Sequence, residues 1–187
     1  GESSLDYSGR PISLSSDGLR VAIGATMNDG VNGSNSGHVR IYDYNGSAWV
    51  QVGADIDGEV AGDYSGWNVS LSSDGSRVAI GANNNDGGGT NSGHVRIYQY
   101  NNNSWSQLGA DIDGEALQDQ SGRSISLSSD GSRMAIGAPF NDGNGTNSGH
   151  VRVYSISSGG SYQYAWDVDS GGAPSDGTYR ATVAGAD

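Results

Sequence analysis

Gly93-His-Val-Arg-Ile-Tyr98 is a short alternating segment that occurs three times in this chain. It recurs at residues 37–42 and, with Val153 in place of an isoleucine, at residues 149–154. A second segment, Leu71-Ser-Ser-Asp-Gly75, also has three copies, at 14–18, 71–75 and 127–131. Both sets are spaced by about 56 residues, and a fixed period of this length is typical of tandem structural repeats.

Each repeat contains four predicted β-strands, which are clearest in the second copy. They are Trp67–Leu71, Arg77–Ala82, His94–Tyr100 and a run that begins at Trp105. The Asp-Gly pair at 74–75 predicts a tight hairpin, because glycine adopts positive φ at little cost. Glycine and β-branched residues interrupt every run, so no segment favours a helix.

Four antiparallel strands per unit predict an all-β chain, a β-propeller with three blades present and one extra strand. Val78 and Ile80 lie on one side of their strand, and Ala79 and Gly81 lie on the other. A bulky face can therefore pack on the thinner face of the next blade. The alternatives are a β-solenoid or a row of separate small β-domains. The predicted units are blade 1 (1–57), blade 2 (58–113), blade 3 (114–169), and residues 170–187, which begin either a further blade or another β-module.

Composition and charge exclude several classes of function. Glycine, serine, aspartate and asparagine make up about half of the 187 residues, a composition typical of disorder in chains without a period. The net charge is −12, so a nucleic-acid partner is not expected. No apolar segment approaches the roughly 20 residues that cross a bilayer, and membrane insertion is not expected. The chain has no cysteine and therefore no disulfide.

The order of these motifs resembles the FG-GAP repeat of integrin α-subunit-like propellers. Gly137-Ala-Pro139 matches the Gly-Ala-Pro element of that repeat, and Gly24-Ala25 and Gly81-Ala82 match it without the proline. The resemblance implies an extracellular or cell-surface, seven-bladed, non-enzymatic propeller used in adhesion or ligand binding. It also implies a calcium loop between the first two strands. Here that loop has one aspartate, such as Asp17, which cannot supply the 6–8 oxygens that calcium takes.

Most of the acidic residues are predicted at the opposite end of the blades from the Asp-Gly hairpins. One interpretation is a solvated acidic surface that keeps the protein dispersed. The other is a site for calcium or a cationic partner, because Asp55-Ile-Asp57-Gly-Glu59 offers alternating carboxylates. The candidate ligands are Asp29, Asp55, Asp57, Asp63, Asp86, Asp111, Asp113, Asp119 and Asp142.

Histidine and arginine recur once per unit, at 38, 94, 150 and at 40, 96, 152. A neighbouring blade should cover these side chains, which favours a hydrogen-bonded packing role. The three histidines should splay around the propeller axis, so a three-histidine metal site is not expected. Because they recur identically in every unit, a single catalytic site is not expected either.

Aromatic side chains suggest a lectin-like alternative, with one shallow carbohydrate site per blade. The candidate stacking residues are Trp49, Trp105, Tyr64 and Tyr100. Packing of an edge strand is the competing interpretation for the same residues.

Three blades are fewer than the four to eight of known propellers. We therefore expect either a longer propeller or self-association, for example of two copies with six blades. An end blade without a neighbour would expose an apolar face and an unpaired strand. The function predicted from sequence is a non-enzymatic repeat module for adhesion, ligand binding or structural assembly, with a protein or glycan ligand at the acidic loop face.

Overall fold

A computed structural model describes residues 1–167 of the chain. This part consists of three antiparallel sheets and contains no helix. The predicted all-β architecture of four-stranded repeats is confirmed. Residues 170–187, predicted to start a further blade or module, lie outside the described residues, and the unit bounds stay a prediction.

Each sheet contains the strands of one sequence repeat. The first has β1 (Ser8–Leu14), β2 (Arg20–Ala25), β3 (His38–Tyr44), β4 (Trp49–Gln51) and β5 (Ile56–Asp57). The second has β6 (Asn68–Leu71), β7 (Arg77–Ala82), β8 (His94–Asn101), β9 (Ser104–Gln107) and β10 (Ile112–Asp113). The third has β11 (Ser124–Leu127), β12 (Arg133–Ala138), β13 (His150–Ile156) and β14 (Tyr162–Asp167).

The outermost strand of the first two sheets is divided into two pieces, which the sequence did not predict. Both β4 and β5 pair with β3, and both β9 and β10 pair with β8. Gly53 and Gly109 lie in the two interruptions with φ of 78° and 81°, values that favour glycine. The second piece places Asp57 opposite His38 and Asp113 opposite His94.

The sheets stack face to face, and two apolar cores lie between them. We define the front face of a sheet as the side that carries Val78 and Ile80 in the second sheet, and the back face as the side that carries Ala79. Between the first two sheets, the back-face residues Ala22, Val39, Ile41 and Ile56 meet the front-face residues Val69, Leu71, Val78, Ile80 and Tyr98. Between the second and third, Ala79, Val95, Ile97 and Ile112 meet Met134, Ile136, Ile156 and Tyr162. The predicted division of strand faces is confirmed.

Candidate functional site

A group of ionisable side chains gathers where the first sheet passes into the second. His94 begins β8, and the pairing of β10 with β8 places Asp113 directly across from it. Asp111 stands just before β10, and Glu59 lies on the link from β5 to the second sheet. We call Glu59, His94, Asp111 and Asp113 the His94 cluster.

The imidazole of His94 faces three carboxylates. Its Nδ1 is 3.8 Å from Oε2 of Glu59, 4.0 Å from Oδ2 of Asp111 and 4.0 Å from Oδ1 of Asp113. His94 is only 1% exposed, and neither ring nitrogen has a hydrogen-bond partner among residues 1–167. The expected burial of this histidine is confirmed, whereas the expected hydrogen bond is not formed.

The protonation of the His94 cluster reflects burial and crowding. Burial, assisted by the nearby Arg96 charge, lowers the pKa of His94 to about 4, so its imidazole is neutral at pH 7. Burial also raises the pKa of Asp113, and the neighbouring Asp111 adds to that rise. Burial raises the pKa of Glu59 against the opposing effect of Arg96. These carboxylates therefore crowd together with little compensating positive charge.

The first unit carries an equivalent group with a different charge balance. Glu2, His38 and Asp55, which we call the His38 cluster, bring their ligand atoms within 4.8 Å of one another. Here Arg40 donates two hydrogen bonds to Asp55, of 2.9 and 2.6 Å, and also contacts Glu2. The Arg40 guanidinium lowers the pKa of Asp55. Arginine thus already neutralises the carboxylates of this cluster.

Arg96 is placed differently from Arg40. Its Nη2 donates to the backbone carbonyl of Asp57 at 2.8 Å, and its Nη1 lies 3.4 Å from Oε1 of Glu59. Arg96 therefore leaves Oε2 of Glu59 facing His94. In the second unit Asp111 accepts a hydrogen bond from Gln107 at 2.7 Å.

Two cavities open at this end of the blades, one for each cluster. The first has a volume of about 730 Å³, and its lining includes Glu2, His38 and Asp55. The second has a volume of about 510 Å³, and its lining includes Glu59, Asp111 and Asp113. Solvent therefore reaches the carboxylates of the His94 cluster through the second cavity.

Five of the predicted calcium ligands stabilise the fold by accepting hydrogen bonds from asparagine amides or from loop N–H groups. Asp63 and Asp119 are buried and accept hydrogen bonds from the amides of Asn85 and Asn141. Three others fix the loop between the second and third strands by accepting from backbone N–H groups of that loop. These three are Asp29, Asp86 and Asp142. The structure thus brings only Asp55, Asp57, Asp111 and Asp113 of the predicted set to the two histidines.

The comparison with protein families agrees with the repeat structure. The model of the FG-GAP repeat matches residues 54–98 and residues 110–154. This chain is an FG-GAP repeat protein. No curated protein matches its sequence.

Solved structures similar to this FG-GAP protein share its fold at low sequence identity. A candidate 6-phosphogluconolactonase from Bacteroides uniformis has a TM-score of 0.61 and 14% identity, over 90% of this chain and 42% of that one. The periplasmic gluconolactonase PpgL of Pseudomonas aeruginosa has a TM-score of 0.53 and 14% identity, over 83% of this chain and 38% of that one. The hydrazine synthase of Kuenenia stuttgartiensis has a TM-score of 0.51 and 14% identity, over 82% of this chain and 40% of that one. The chain spans about two fifths of the length of these proteins.

The aromatic candidates of the FG-GAP chain lie in different surroundings. Trp105 packs against the core between the first two sheets, and its Nε1 donates to the carbonyl of Val52 at 3.0 Å. Trp49 occupies the same repeat position but is 46% exposed. The ring of Tyr100 contacts that of Trp105 at a tilt of 40°, with ring centroids 5.0 Å apart. The ring centroid of Tyr64 lies 6.4 Å from that of Trp67. The carbohydrate-binding alternative stays a prediction.

The sequence interpretation placed Glu59 among the carboxylates of a cation site but did not pair the glutamates with the histidines. The chain has three glutamates, Glu2, Glu59 and Glu115, and all occupy the same repeat position. It also has three histidines at one shared repeat position. Two rare residue types with identical repetition were the available signal. In the third unit Glu115 contacts Arg152, the counterpart of Arg96.

No helix among residues 1–167 has the length and apolar character needed to cross a membrane.

Proposed function

We propose that this FG-GAP chain is a non-enzymatic module of a larger or oligomeric β-propeller, and that it presents its acidic loop end to a protein or glycan ligand outside the cell. The observation that carries the proposal is the exposed front face of the first sheet. Ile12 and Leu14 are 64% and 57% exposed there. Their counterparts in the second sheet, Val69 and Leu71, are each 7% exposed.

The partner for this face is the back face of a third sheet. In the second sheet, the back-face residues Ala79, Val95 and Ile97 are fully buried against the third sheet. Their counterparts in the third sheet are half-buried; they are Ala135, Val151 and Val153. The first and third sheets thus offer the two halves of an interface that already occurs twice among residues 1–167.

Such an interface is heterologous, so repeated contacts either close into a ring or continue as a filament. Two copies would supply six blades, a number within the range of known propellers. Complete burial of each large aliphatic side chain on this face contributes about 1.5–3 kcal/mol to the free energy of association. We infer that a second copy of the chain covers the front face of its first sheet.

The role in adhesion or ligand binding rests on the FG-GAP family. Repeats of this type are typical of extracellular proteins, and the acidic cavities at the loop end offer a recognition surface. The lactonase-like neighbours are only 14% identical, so they inform on the fold alone. Catalysis is not proposed, because the clusters at the loop end repeat from unit to unit in place of one distinct site.

Sedimentation velocity at micromolar concentration tests the assembly. We expect dimers or larger species for the whole chain, and monomers for Leu14→Glu, which places a charge on the front face. Val31→Glu is the matched control, since Val31 is 88% exposed on a loop. A chain that remains monomeric across this range would contradict the proposal. Binding of surface glycoproteins to the assembled chain, with Leu14→Glu for comparison, tests the ligand-binding part.

A further inference from the structure

We propose that the His94 cluster binds one divalent transition-metal ion of the zinc class, with Glu59, His94 and Asp111 as ligands and Asp113 or a water as the fourth. Nothing in the assembly proposed above depends on this site.

The first argument is the state of His94. Buried polar groups are nearly always hydrogen-bonded, and an unpaired one costs free energy. Both ring nitrogens of His94 are buried without a partner among the described residues, yet Nδ1 is directed at three carboxylates. At 3.8–4.0 Å these contacts are too long for hydrogen bonds. A metal ion between the imidazole and the carboxylates would bond Nδ1 and remove the part of this cost that belongs to that nitrogen.

The second argument is the size of the space between the ligand atoms. Those of Glu59, His94 and Asp111 all lie within 4.8 Å of one another. Zinc bonds of about 2.0–2.2 Å place neighbouring tetrahedral ligand atoms about 3.4 Å apart. The observed separations from Nδ1 exceed this by only about half an ångström, which rotation of the partly exposed carboxylates can supply. Three protein ligands with an open fourth position are also a common zinc arrangement.

The ligand chemistry selects the class of ion. Calcium and magnesium prefer sets composed only of oxygen atoms, whereas imidazole favours zinc and its neighbours in the first transition series. A site built around one buried imidazole and two or three carboxylates therefore fits a transition ion better than calcium. This differs from the calcium site expected from the carboxylates alone.

The third argument is the contrast with the His38 cluster. There Arg40 binds both Asp55 and Glu2, so a cation is already present. In the His94 cluster Arg96 contacts only Oε1 of Glu59 and turns its Nη2 to a backbone carbonyl. Arg96 is thus an outer contact that orients Glu59, as groups around metal ligands commonly do. The inference is restricted to the His94 cluster for this reason.

Metal ions can enter through the 510 Å³ cavity, whose lining includes all three carboxylates of the cluster. A metal site requires such an entry path in addition to suitable distances and ligand types.

The test is calorimetric titration of ZnCl₂ into the whole chain after treatment with EDTA. We expect one equivalent of Zn²⁺ to bind at this cluster, and CaCl₂ in place of ZnCl₂ to bind far more weakly. Glu59→Gln and Asp111→Asn preserve shape, and each should weaken Zn²⁺ binding by at least about tenfold. Glu2→Gln and Asp55→Asn change the same repeat positions in the first unit and should leave this binding unchanged.

The role of His94 is tested by NMR of the unsubstituted chain, because replacing so buried a residue could prevent folding. Zn²⁺ should shift the Nδ1 resonance of His94 and leave that of His38 in place. The proposal is overturned if Zn²⁺ does not bind, if the first-unit variants weaken binding as much as the second-unit variants, or if the His94 resonance does not move.

Discussion

Glycine at one position of the second strand, Gly24 in β2 and Gly81 in β7, lets each of the first two sheets approach the next sheet closely. A Cβ atom on Gly81 in β7 would overlap the backbone carbonyl of Gly122, which lies just before β11 of the third sheet. Gly81→Ala should therefore destabilise the chain by about 1–3 kcal/mol, as overpacking does. The measurement is the free energy of unfolding in urea.

The matched control for this change is Gly137→Ala, at the same position of the third sheet. Among the described residues, its Cβ would overlap only the hydroxyl of Ser124, a side-chain atom that can rotate away. Gly137→Ala should thus be close to neutral. Equal stabilities of the two alanine variants would show that the inter-sheet approach at Gly81 is not tight.

The aspartates of the Asp-Gly hairpins make stability depend on pH. A hydrogen bond from the hydroxyl of Ser128, at 2.6 Å, holds the pKa of Asp130 well below its ordinary value, and Ser15 does the same for Asp17. A carboxyl with a lowered pKa contributes stability that is complete above its unfolded pKa, near 4, and is lost as pH falls through the folded value. Unfolding should therefore become easier below about pH 4.

Ser128→Ala tests this contribution. It should raise the pKa of Asp130 toward its ordinary value in an NMR titration, and it should reduce the loss of stability between pH 4 and pH 2. Ser128 also accepts a hydrogen bond from the N–H of Arg133, so the variant should be less stable at every pH. Ser129→Ala is the control, because it removes the hydroxyl of the residue directly before Asp130. An unchanged Asp130 titration in Ser128→Ala would refute the assignment.

At the scale of the strand, one tryptophan position shows what a neighbouring sheet contributes. Trp105 on β9 packs on the inter-sheet core and donates to the carbonyl of Val52, whereas Trp49 on β4 is 46% exposed. Trp105→Ala should lower the free energy of unfolding by about 3 kcal/mol, near the lower end for a buried aromatic, because Trp105 is only half-buried.

Trp49→Ala is the internal control, because it removes the same side chain at the same repeat position. It should change the stability of the monomer by less than about 0.5 kcal/mol, as surface substitutions usually do. Thermal and urea unfolding of both variants at low protein concentration measures this difference. If Trp49→Ala were as costly as Trp105→Ala, packing on the neighbouring sheet would not explain the role of Trp105.

Strand positions followed from the sequence where alternation extended over four or more residues. Arg77–Ala82 was predicted with the observed bounds, because apolar alternation and the Asp-Gly turn agree there. The two-residue strand Ile112–Asp113 was not predicted, since so short a segment has no measurable period. The outer strand divides at Gly109, which has positive φ and lies against Gly160 and Tyr162 of the third unit.

The candidate site was predictable only in part for the same reason. The carboxylates of Asp111 and Asp113 stood out because they alternate in the sequence. Their proximity to His94 depends on the register of β10 with β8, and the position of Glu59 depends on how the link crosses from the first sheet. Both are tertiary relations between residues distant in sequence, which no local pattern encodes.

For the whole molecule, each junction between sheets is made by the same contacts. The guanidinium of Arg20 donates to the carbonyl of Gly75 at 2.9 Å, and that of Arg77 donates to the carbonyl of Gly131 at 2.8 Å. Backbone N–H groups of Ser16 and Ser73 donate to the next sheet at 2.8 and 2.9 Å. Stability should thus be a sum over sheets and nearest-neighbour junctions, as in other repeat proteins. A junction between two copies of the chain would add a further stabilising contribution of the same kind.

This additivity predicts that the thermal stability of the chain depends on its concentration. Association through the front face of the first sheet stabilises the folded state by mass action, so the melting temperature should rise as protein concentration increases. Leu14→Glu should abolish this rise and leave the melting temperature at high dilution nearly unchanged, because Leu14 is 57% exposed in the monomer. Val31→Glu should retain the rise. Calorimetric scans over a hundredfold range of concentration measure the effect, and a melting temperature independent of concentration would mean that the exposed face of the first sheet does not bind a second copy.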